Sequence, residues 1–117
     1  MDYSKLSDFE INKRVLLAST FVKPLGYPHN ADGRSVGRSN GLDYIWYDFC
    51  NNPADAFPII EANRISLRNR YEGDWKAENE WGDSHFHISR NPLRSAMIVF
   101  LKMQESKNAK IPSERDS

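Results

Sequence analysis

The sequence predicts an α+β fold, in which a small antiparallel sheet of three to four strands packs with three helices. Three observations lead to this prediction. A serine capping box and two asparagine–proline pairs begin three segments whose apolar residues recur every three to four positions, as in amphipathic helices. Between the last two of these segments, apolar and polar residues alternate, as in strands with one covered face.

The size and charge of the chain limit what it can be. Its 117 residues suffice for one domain, which we assign to 1–104 with a long loop at about 23–41, followed by a flexible C-terminal tail at 105–117. Because the 16 lysines and arginines balance the 16 aspartates and glutamates, we do not expect DNA as a partner. No apolar run approaches the roughly 20 residues that span a bilayer, so we expect no membrane, and the lone Cys50 fits a reducing cytoplasm.

The first helix is predicted at about 8–19. Ser7 and Glu10 form a capping box, and Leu6 with Ile11 forms the matching hydrophobic staple. The helical spacing places Ile11, Val15 and Ala18 on the buried face and directs Asn12, Lys13 and Arg14 toward water.

A glycine- and proline-rich segment at about 23–41 predicts a long loop, and loops of this length are usually functional or mobile. It contains a short repeat, Gly33-Arg34-Ser35 and Gly37-Arg38-Ser39. Its glycines could form a backbone nest for a phosphate beneath the guanidinium groups of Arg34 and Arg38. The alternative is a flexible, solvated hairpin tip without a ligand.

The segment 42–49 is rich in aromatic and β-branched residues and predicts a strand. Since both of its faces are apolar or aromatic, either both are covered by the rest of the domain or one is exposed for binding. Alternation assigns Leu42, Tyr44 and Trp46 to one face and Ile45, Tyr47 and Phe49 to the other.

The second helix begins with Asn52 as a favoured N-cap and Pro53 in the first helical position. The missing amide hydrogen of Pro58 predicts a kink or opening between Ala54 and Pro58, at a cost of about 3 kcal/mol. We expect packing to offset that cost, and we expect a left-handed residue to end the helix. The residues concerned are Phe57, Ile59 and Ile60 for packing and Asn63 for the end.

Three short strands are predicted next, joined by turns at 69–74 and 80–84 into an antiparallel meander with one apolar and one polar face. The apolar residues are Ile65 and Leu67, Trp75 and Ala77, and Phe86 and Ile88, while His85 and His87 lie on the polar face.

Asn91 and Pro92 begin the third helix, whose apolar residues occupy nearly the whole circumference. This helix is therefore either the central buried one, or it presents a spare face to another subunit of a homo-oligomer.

His85 and His87 are the candidate metal ligands, because two imidazoles on one strand face can chelate a metal if Asp74 or Asp83 supplies a third ligand. The alternative is a solvent-facing pair at a strand edge. No carboxylate pair and no nucleophile beside a base has the spacing of a known catalytic arrangement. We therefore assign no catalytic residue and expect no cofactor.

Tyr71 and Trp81 lie near predicted turns and are the aromatic residues best placed for exposed contacts. Aromatic rings near arginines stack bases and hold phosphates in many nucleotide binders. Together with Arg34 and Arg38, these two residues form the predicted ligand-binding set.

Three blocks of the chain resemble the NinX family of lambdoid phages and prophages. They are MDYSKLSDFEIN at 1–12, CNNPADAFPII at 50–60 with NRIS at 63–66, and NPLRSAMIVFL at 91–101. Phe57 stands where members of that family often carry tryptophan, which the resemblance implies is a packing position. The order of the elements is also similar to that of small phage α-β-α sandwich domains.

The resemblance implies a phage or prophage product in the cytoplasm of an infected or lysogenic bacterium, and it implies no catalytic residues. The leading hypothesis is a non-enzymatic accessory protein that binds a host component, either sequestering a nucleotide signal or blocking a host protein, as anti-defence proteins do. One alternative is a DNA-associated accessory in phage recombination or replication. The other is a metal-dependent enzyme that uses His85 and His87.

Overall fold

A computed structural model describes residues 1–80 and 84–110 of the chain. It confirms the α+β class, with antiparallel strands in two sheets of two and three strands. A 3₁₀ turn at Tyr3–Lys5 precedes the regular elements. These are α1 (Asp8–Thr20), β1 (Val36–Ser39), β2 (Tyr44–Tyr47), α2 (Pro53–Ala62), β3 (Ile65–Asn69), β4 (Trp75–Asn79), β5 (Phe86–Ser89) and α3 (Pro92–Lys110).

Helix α3 is the centre of the domain. Asn91 caps it by accepting hydrogen bonds from the Leu93 and Arg94 amides. Every residue from 95 to 101 is buried, and α3 contacts α1, α2 and all three strands of the larger sheet. The apolar circumference is therefore covered within the chain itself. The helix continues to Lys110, into the segment that the sequence assigned to a tail, and 111–117 lie outside the described residues.

The larger sheet has the strand order β3-β4-β5 and is antiparallel throughout. Its buried residues share the face that α3 covers: Ile65 lies opposite Asn79, and Ala77 lies next to them. On the other face Arg68 and Glu78 form an ion pair across the strands. The sheet and helices therefore form two layers, with the outer sheet face toward solvent. Among the described helices, none has both the length and the apolar character needed to cross a bilayer.

The predicted faces of β5 are wrong, because they are reversed in the structure. His87 pairs with the buried Ala77 and so faces α3, whereas Phe86 is 54% exposed on the outer face, with the Lys76 ammonium 4.9 Å from its ring. The alternation in this four-residue strand separates Phe86 and Ile88 from His87 and Ser89, but so short a pattern does not determine which of the two sets faces α3. The structure fixes the choice through Ser89, on the same face as His87, whose hydroxyl lies 2.6 Å from that of Ser95 on α3.

The prediction of a loop throughout 23–41 missed strand β1. Val36 is fully buried opposite Tyr47, and the backbone of Gly37 accepts a hydrogen bond from the Leu25 amide. The strand was hidden because one valine among glycine, arginine and serine gives no alternation to detect. Gly37 is required by packing, since a Cβ there would lie 2.7 Å from Cζ3 of Trp46.

Helix α2 begins as predicted, with the Asn52 side chain accepting from the Ala54 amide and Pro53 in the first turn. The helix is continuous from Pro53 to Ala62 with Pro58 inside it, so the predicted opening is not observed, while the alternative of a kink between Ala54 and Pro58 stays a prediction. The proline leaves only the Ala54 carbonyl without its helical partner, and Ala54 is exposed, so water can supply the hydrogen bond.

Two further predictions for α2 are corrected. Ile59 and Ile60 are buried as expected, but Phe57 is 59% exposed and so lies on a solvent-accessible face of the helix. Asn63 has a φ of −103°, and its side chain instead donates to the Ile59 carbonyl. The left-handed residue is Arg64, with a φ of 53°.

The close contact between Gly37 and Trp46 makes a testable prediction. Gly37→Ala should lower the free energy of unfolding by about 1–3 kcal/mol, because the added methyl group displaces the indole. Gly26→Ala is the matched control, since nothing lies within 4 Å of a Cβ at that position. Urea denaturation of both variants measures the difference. Equal unfolding free energies for the two variants would contradict the packing role of Gly37.

Candidate functional site

A fully buried asparagine, Asn12 of α1, joins the helix to two other parts of the chain. Its Nδ2 donates to the Arg34 carbonyl and to Oδ1 of Asp48, each at 3.0 Å. Its Oδ1 accepts from the Cys50 amide at 3.0 Å. The sequence prediction that Asn12 faces water is therefore wrong. Helical spacing from Asn12 to Val15 and Leu16, both fully buried, was the signal that could have corrected it.

Asp48 lies at the end of β2 and is also buried, and its charge is compensated by Arg34. The Arg34 Nε donates to Oδ2 of Asp48 at 2.5 Å, while Oδ1 accepts from Asn12 and from Nδ2 of Asn51. The backbone amide of Asp48 donates to Oδ2 of Asp55 on α2 at 2.9 Å. A buried carboxylate needs such a set of partners, because isolated burial of a charge is costly.

The starts of α1 and α3 meet next to this pair. A guanidinium nitrogen of Arg94 donates to Oδ1 of Asp8 at 2.7 Å, and Asn51 donates to the other Asp8 oxygen at 2.9 Å. Asn91, the cap of α3, donates to the Cys50 carbonyl at 2.7 Å. Burial, and then the nearby Asp8 carboxylate, raise the pKa of the Cys50 thiol, so this cysteine is not poised as a nucleophile.

A polar cleft of about 330 Å³ opens on the solvent side of this network. Three carboxylates and one guanidinium line it, so the cleft carries two formal negative charges. We call it the acidic cleft. Its principal lining residues are Asp32, Arg34, Trp46, Asp48, Asn52 and Asp55.

Asp32 occupies the backbone nest that the sequence assigned to a phosphate. One of its carboxylate oxygens accepts from the Arg34 amide at 2.9 Å and from the Ser35 amide at 2.8 Å, and the other accepts from the Ser35 hydroxyl. Partial burial opposes ionisation of Asp32, but these hydrogen bonds favour the carboxylate and lower its pKa to about 2. The chain's own anion therefore uses the donors of the nest.

Two of the carboxylates in the acidic cleft form no described ion pair. Among the described residues, no lysine or arginine lies within 4.0 Å of the carboxylate of Asp32 or Asp55. Asp48, by contrast, is paired with Arg34. The cleft therefore has two carboxylates whose charge no ion pair among the described residues neutralises.

An exposed aromatic cluster borders the acidic cleft through Trp46, and we call this cluster the aromatic face. The His29 ring lies 4.8 Å from that of Trp46 and nearly perpendicular to it, and Tyr27 and Tyr44 lie 6.5 and 6.4 Å away. Both tyrosines are more than half exposed. On the opposite face of β2, Ile45 and Tyr47 are half-buried, and Tyr47 stacks on Phe49. The prediction that one face of this strand is exposed for binding stays a prediction.

The predicted ligand-binding residues are not brought together. Arg34 lines the acidic cleft, whereas Nε of Arg38 donates to the Tyr47 hydroxyl, and Arg38 is not among the described residues that line the cleft. Tyr71 is fully exposed in the turn between β3 and β4. Trp81 lies outside the described residues. A ligand-binding role for each of the four stays a prediction.

The two candidate metal ligands face inward. Nε2 of His85 is buried without a hydrogen-bond partner in the described part of the chain, and it borders a second cleft of about 310 Å³ beside Tyr3 and Lys102. Burial, and then the charges of Lys102 and Arg94, lower the pKa of His87. Asp74 is paired with Arg70, and Asp83 lies outside the described residues. Within 1–80 and 84–110, no group of three or more His, Cys, Asp or Glu is arranged to hold a metal ion.

The low pKa of Asp32 makes stability depend on pH. An unfolded aspartate has a pKa of about 3.9, so the folded carboxylate contributes stability above pH ~4 that is lost as the pH falls toward about 2. Asp32→Asn removes this contribution. The difference in unfolding free energy between the parent and this variant should therefore shrink between pH ~5 and pH ~2, as measured by urea denaturation.

Glu61→Gln is the control for the Asp32 experiment, because Glu61 is exposed on α2 and its side chain forms no described hydrogen bond. The difference in unfolding free energy between the parent and Glu61→Gln should stay small over the same pH range. A difference for Asp32→Asn that does not change with pH would contradict the assignment of the carboxylate to the nest.

Comparison with known proteins identifies the family. The family described as Bacteriophage P22, NinX matches residues 2–104, which include the whole network around Asn12 and the acidic cleft. Comparison with curated proteins gave no match. Since the family match extends over most of the chain, the protein belongs to the phage P22 NinX family.

Proposed function

We propose that this NinX protein is a non-enzymatic accessory protein that binds a host protein in the cytoplasm of an infected or lysogenic bacterium. The observation that carries the proposal is the aromatic face beside the acidic cleft, formed by the β1–β2 hairpin, the segment before it and the start of α2. Blocking a host defence protein is one activity of this class. The family match supports the phage context, and the geometry supports the kind of partner.

The aromatic face has the composition of a protein interface. Tyrosine and tryptophan are enriched at such interfaces, because they combine large apolar area with a polar group and lose little conformational entropy. Tyr27 and Tyr44 are more than half exposed here, and Leu42 at the tip of the same hairpin is almost fully exposed. Exposed apolar residues grouped on one surface often mark an interaction site.

The charge of the acidic cleft favours a protein partner over a nucleotide. A phosphate entering the cleft would meet two uncompensated carboxylates, and the amides of the predicted nest are already bonded to Asp32. Arg34 is the cation of the cleft, and its Nε is bonded to Asp48. A host protein segment with basic side chains would reduce this negative charge, whereas a nucleotide would increase it.

Site-specific photo-crosslinking in infected cells tests the proposal. A benzophenone amino acid in place of Tyr44 should give a covalent adduct with one host protein. The same amino acid in place of Tyr71, a still more exposed tyrosine on the hairpin between β3 and β4, is the control and should not give that adduct. The identified host protein, once purified, should bind the parent chain and bind Trp46→Ala at least tenfold more weakly, because the indole connects the aromatic face to the cleft.

Several results would contradict this proposal. Equal adducts at both positions would show that the hairpin carrying Tyr44 has no special role. Adducts with nucleic acid alone would favour the DNA-associated alternative. A nucleotide that co-purifies with the chain and is displaced by Arg34→Ala would favour sequestration of a nucleotide signal.

A further inference from the structure

Resting on the proposed function, we infer that the host partner is anchored by an arginine side chain, whose guanidinium enters the acidic cleft between the indole of Trp46 and the carboxylate of Asp55. Both residues line the same cleft of about 330 Å³. This volume is at the lower end for ligand pockets and suits one side chain rather than a folded element.

Charge complementarity selects a cation. Asp48 is neutralised by Arg34, but Asp32 and Asp55 have no lysine or arginine within 4.0 Å among the described residues. A cationic side chain in this cleft would reduce its two formal negative charges to one, while a phosphate or carboxylate would add to them. The partner's anchoring group is therefore a basic one.

The Asp55 carboxylate can accept further hydrogen bonds. Its Oδ2 accepts one hydrogen bond, from the Asp48 amide at 2.9 Å, and no described donor is bonded to Oδ1. Asp32 is more fully used, because both of its oxygens already accept from the 34–35 segment. Asp55 is thus the carboxylate best able to receive new donors.

The indole of Trp46 distinguishes arginine from lysine. A guanidinium is planar, presents five donors and stacks on aromatic rings, whereas an ammonium is a compact and strongly hydrated charge. Trp46 is itself held in place, because its ring covers the backbone of Gly37 and lies against His29. A rigid aromatic ring beside a carboxylate with a free oxygen matches the shape of a guanidinium.

The chain's own arginine does not fill this position. Arg34 donates from Nε to Asp48 at 2.5 Å, and its side chain is 49% exposed. It neutralises Asp48 at the base of the cleft and leaves the charge of Asp55 available. Arg34 and the partner's arginine therefore pair with different carboxylates, those of Asp48 and Asp55.

The test is an NMR titration of the purified chain with the capped tripeptide Gly-Arg-Gly. The Trp46 indole N–H resonance, assigned with Trp46→Phe, should shift with a dissociation constant in the millimolar range. The tripeptide with citrulline, which is nearly isosteric but uncharged, should bind at least tenfold more weakly. Gly-Lys-Gly should bind more weakly than the arginine peptide, because ammonium does not stack as a guanidinium does.

Asp55→Asn keeps an oxygen that can accept from the Asp48 amide but removes the negative charge. The dissociation constant for Gly-Arg-Gly should therefore rise about fivefold or more. Glu61→Gln, a change of equal charge on the same helix, should bind as the parent does. The amide spectrum of each variant shows whether it is folded. If a variant does not fold, the parent is titrated with Gly-Arg-Gly at increasing salt concentration instead, where screening of the carboxylates should weaken binding and unchanged binding would contradict the inference.

The inference is overturned if the Trp46 resonance does not shift at about 20 mM peptide, if citrulline or lysine binds as well as arginine, or if Asp55→Asn binds as the parent does. None of these results would affect a crosslink between position 44 and a host protein. Failure of the arginine anchor is therefore distinguishable from failure of the proposed function. A shift of the same resonance by inorganic phosphate would overturn both.

Discussion

The side chain of Asn12 donates hydrogen bonds to the Arg34 carbonyl and the Asp48 carboxylate and accepts one from the Cys50 amide, at a position with no exposure to solvent. Its partners lie before β1, after β2 and before α2. A buried polar group without a partner costs about 1–3 kcal/mol. An apolar residue in place of Asn12 would remove the described partners of the Arg34 carbonyl and the Cys50 amide, while Asp48 would keep Asn51 and Arg34. The Asn12 side chain thereby holds the hairpin against α1 and fixes the base of the acidic cleft.

The three sequence blocks that resemble the NinX family converge on this network. Each block contains the start of a helix, and hydrogen bonds join these starts to one another. Asn51 and Arg94 both donate to Asp8. The Cys50 amide donates to Asn12, and Asn91 donates to the Cys50 carbonyl. The family signature is therefore largely structural. The aromatic face and Asp32 lie between the first two blocks, on the hairpin and the segment before it, where we propose that a partner binds.

The helices were predictable because their signals are local. The Ser7 and Asn52 caps form as the sequence indicates, since each depends on residues within one helical turn. The second half of the predicted capping box is not observed, because the Glu10 carboxylate accepts from Lys13 instead of the Ser7 amide. The burial of Asn12 was missed because its partners are 22 to 38 residues away. The reversed faces of β5 have the same origin, since the register with β4 decides them.

The candidate site was only partly predictable for related reasons. Arg34 was identified, but as a phosphate ligand, because its pairing with Asp48 depends on the hairpin that brings β1 and β2 together. Asp32 gave no signal of its own, since its role as the anion of the nest requires the turn at Gly33. Trp46 was assigned to the correct face of its strand, while the cleft beside that face arises only from the tertiary structure.

Amide hydrogen exchange of Cys50 tests the central role of Asn12 most directly, because the only acceptor described for that amide is the Asn12 side chain. If this hydrogen bond is part of the core, the Cys50 amide should exchange only through global unfolding, with a protection factor like that of Met97 in α3. Exchange at a rate like that of the exposed Gly26 amide would show that the hairpin separates from α1 in the native state, and would contradict the account.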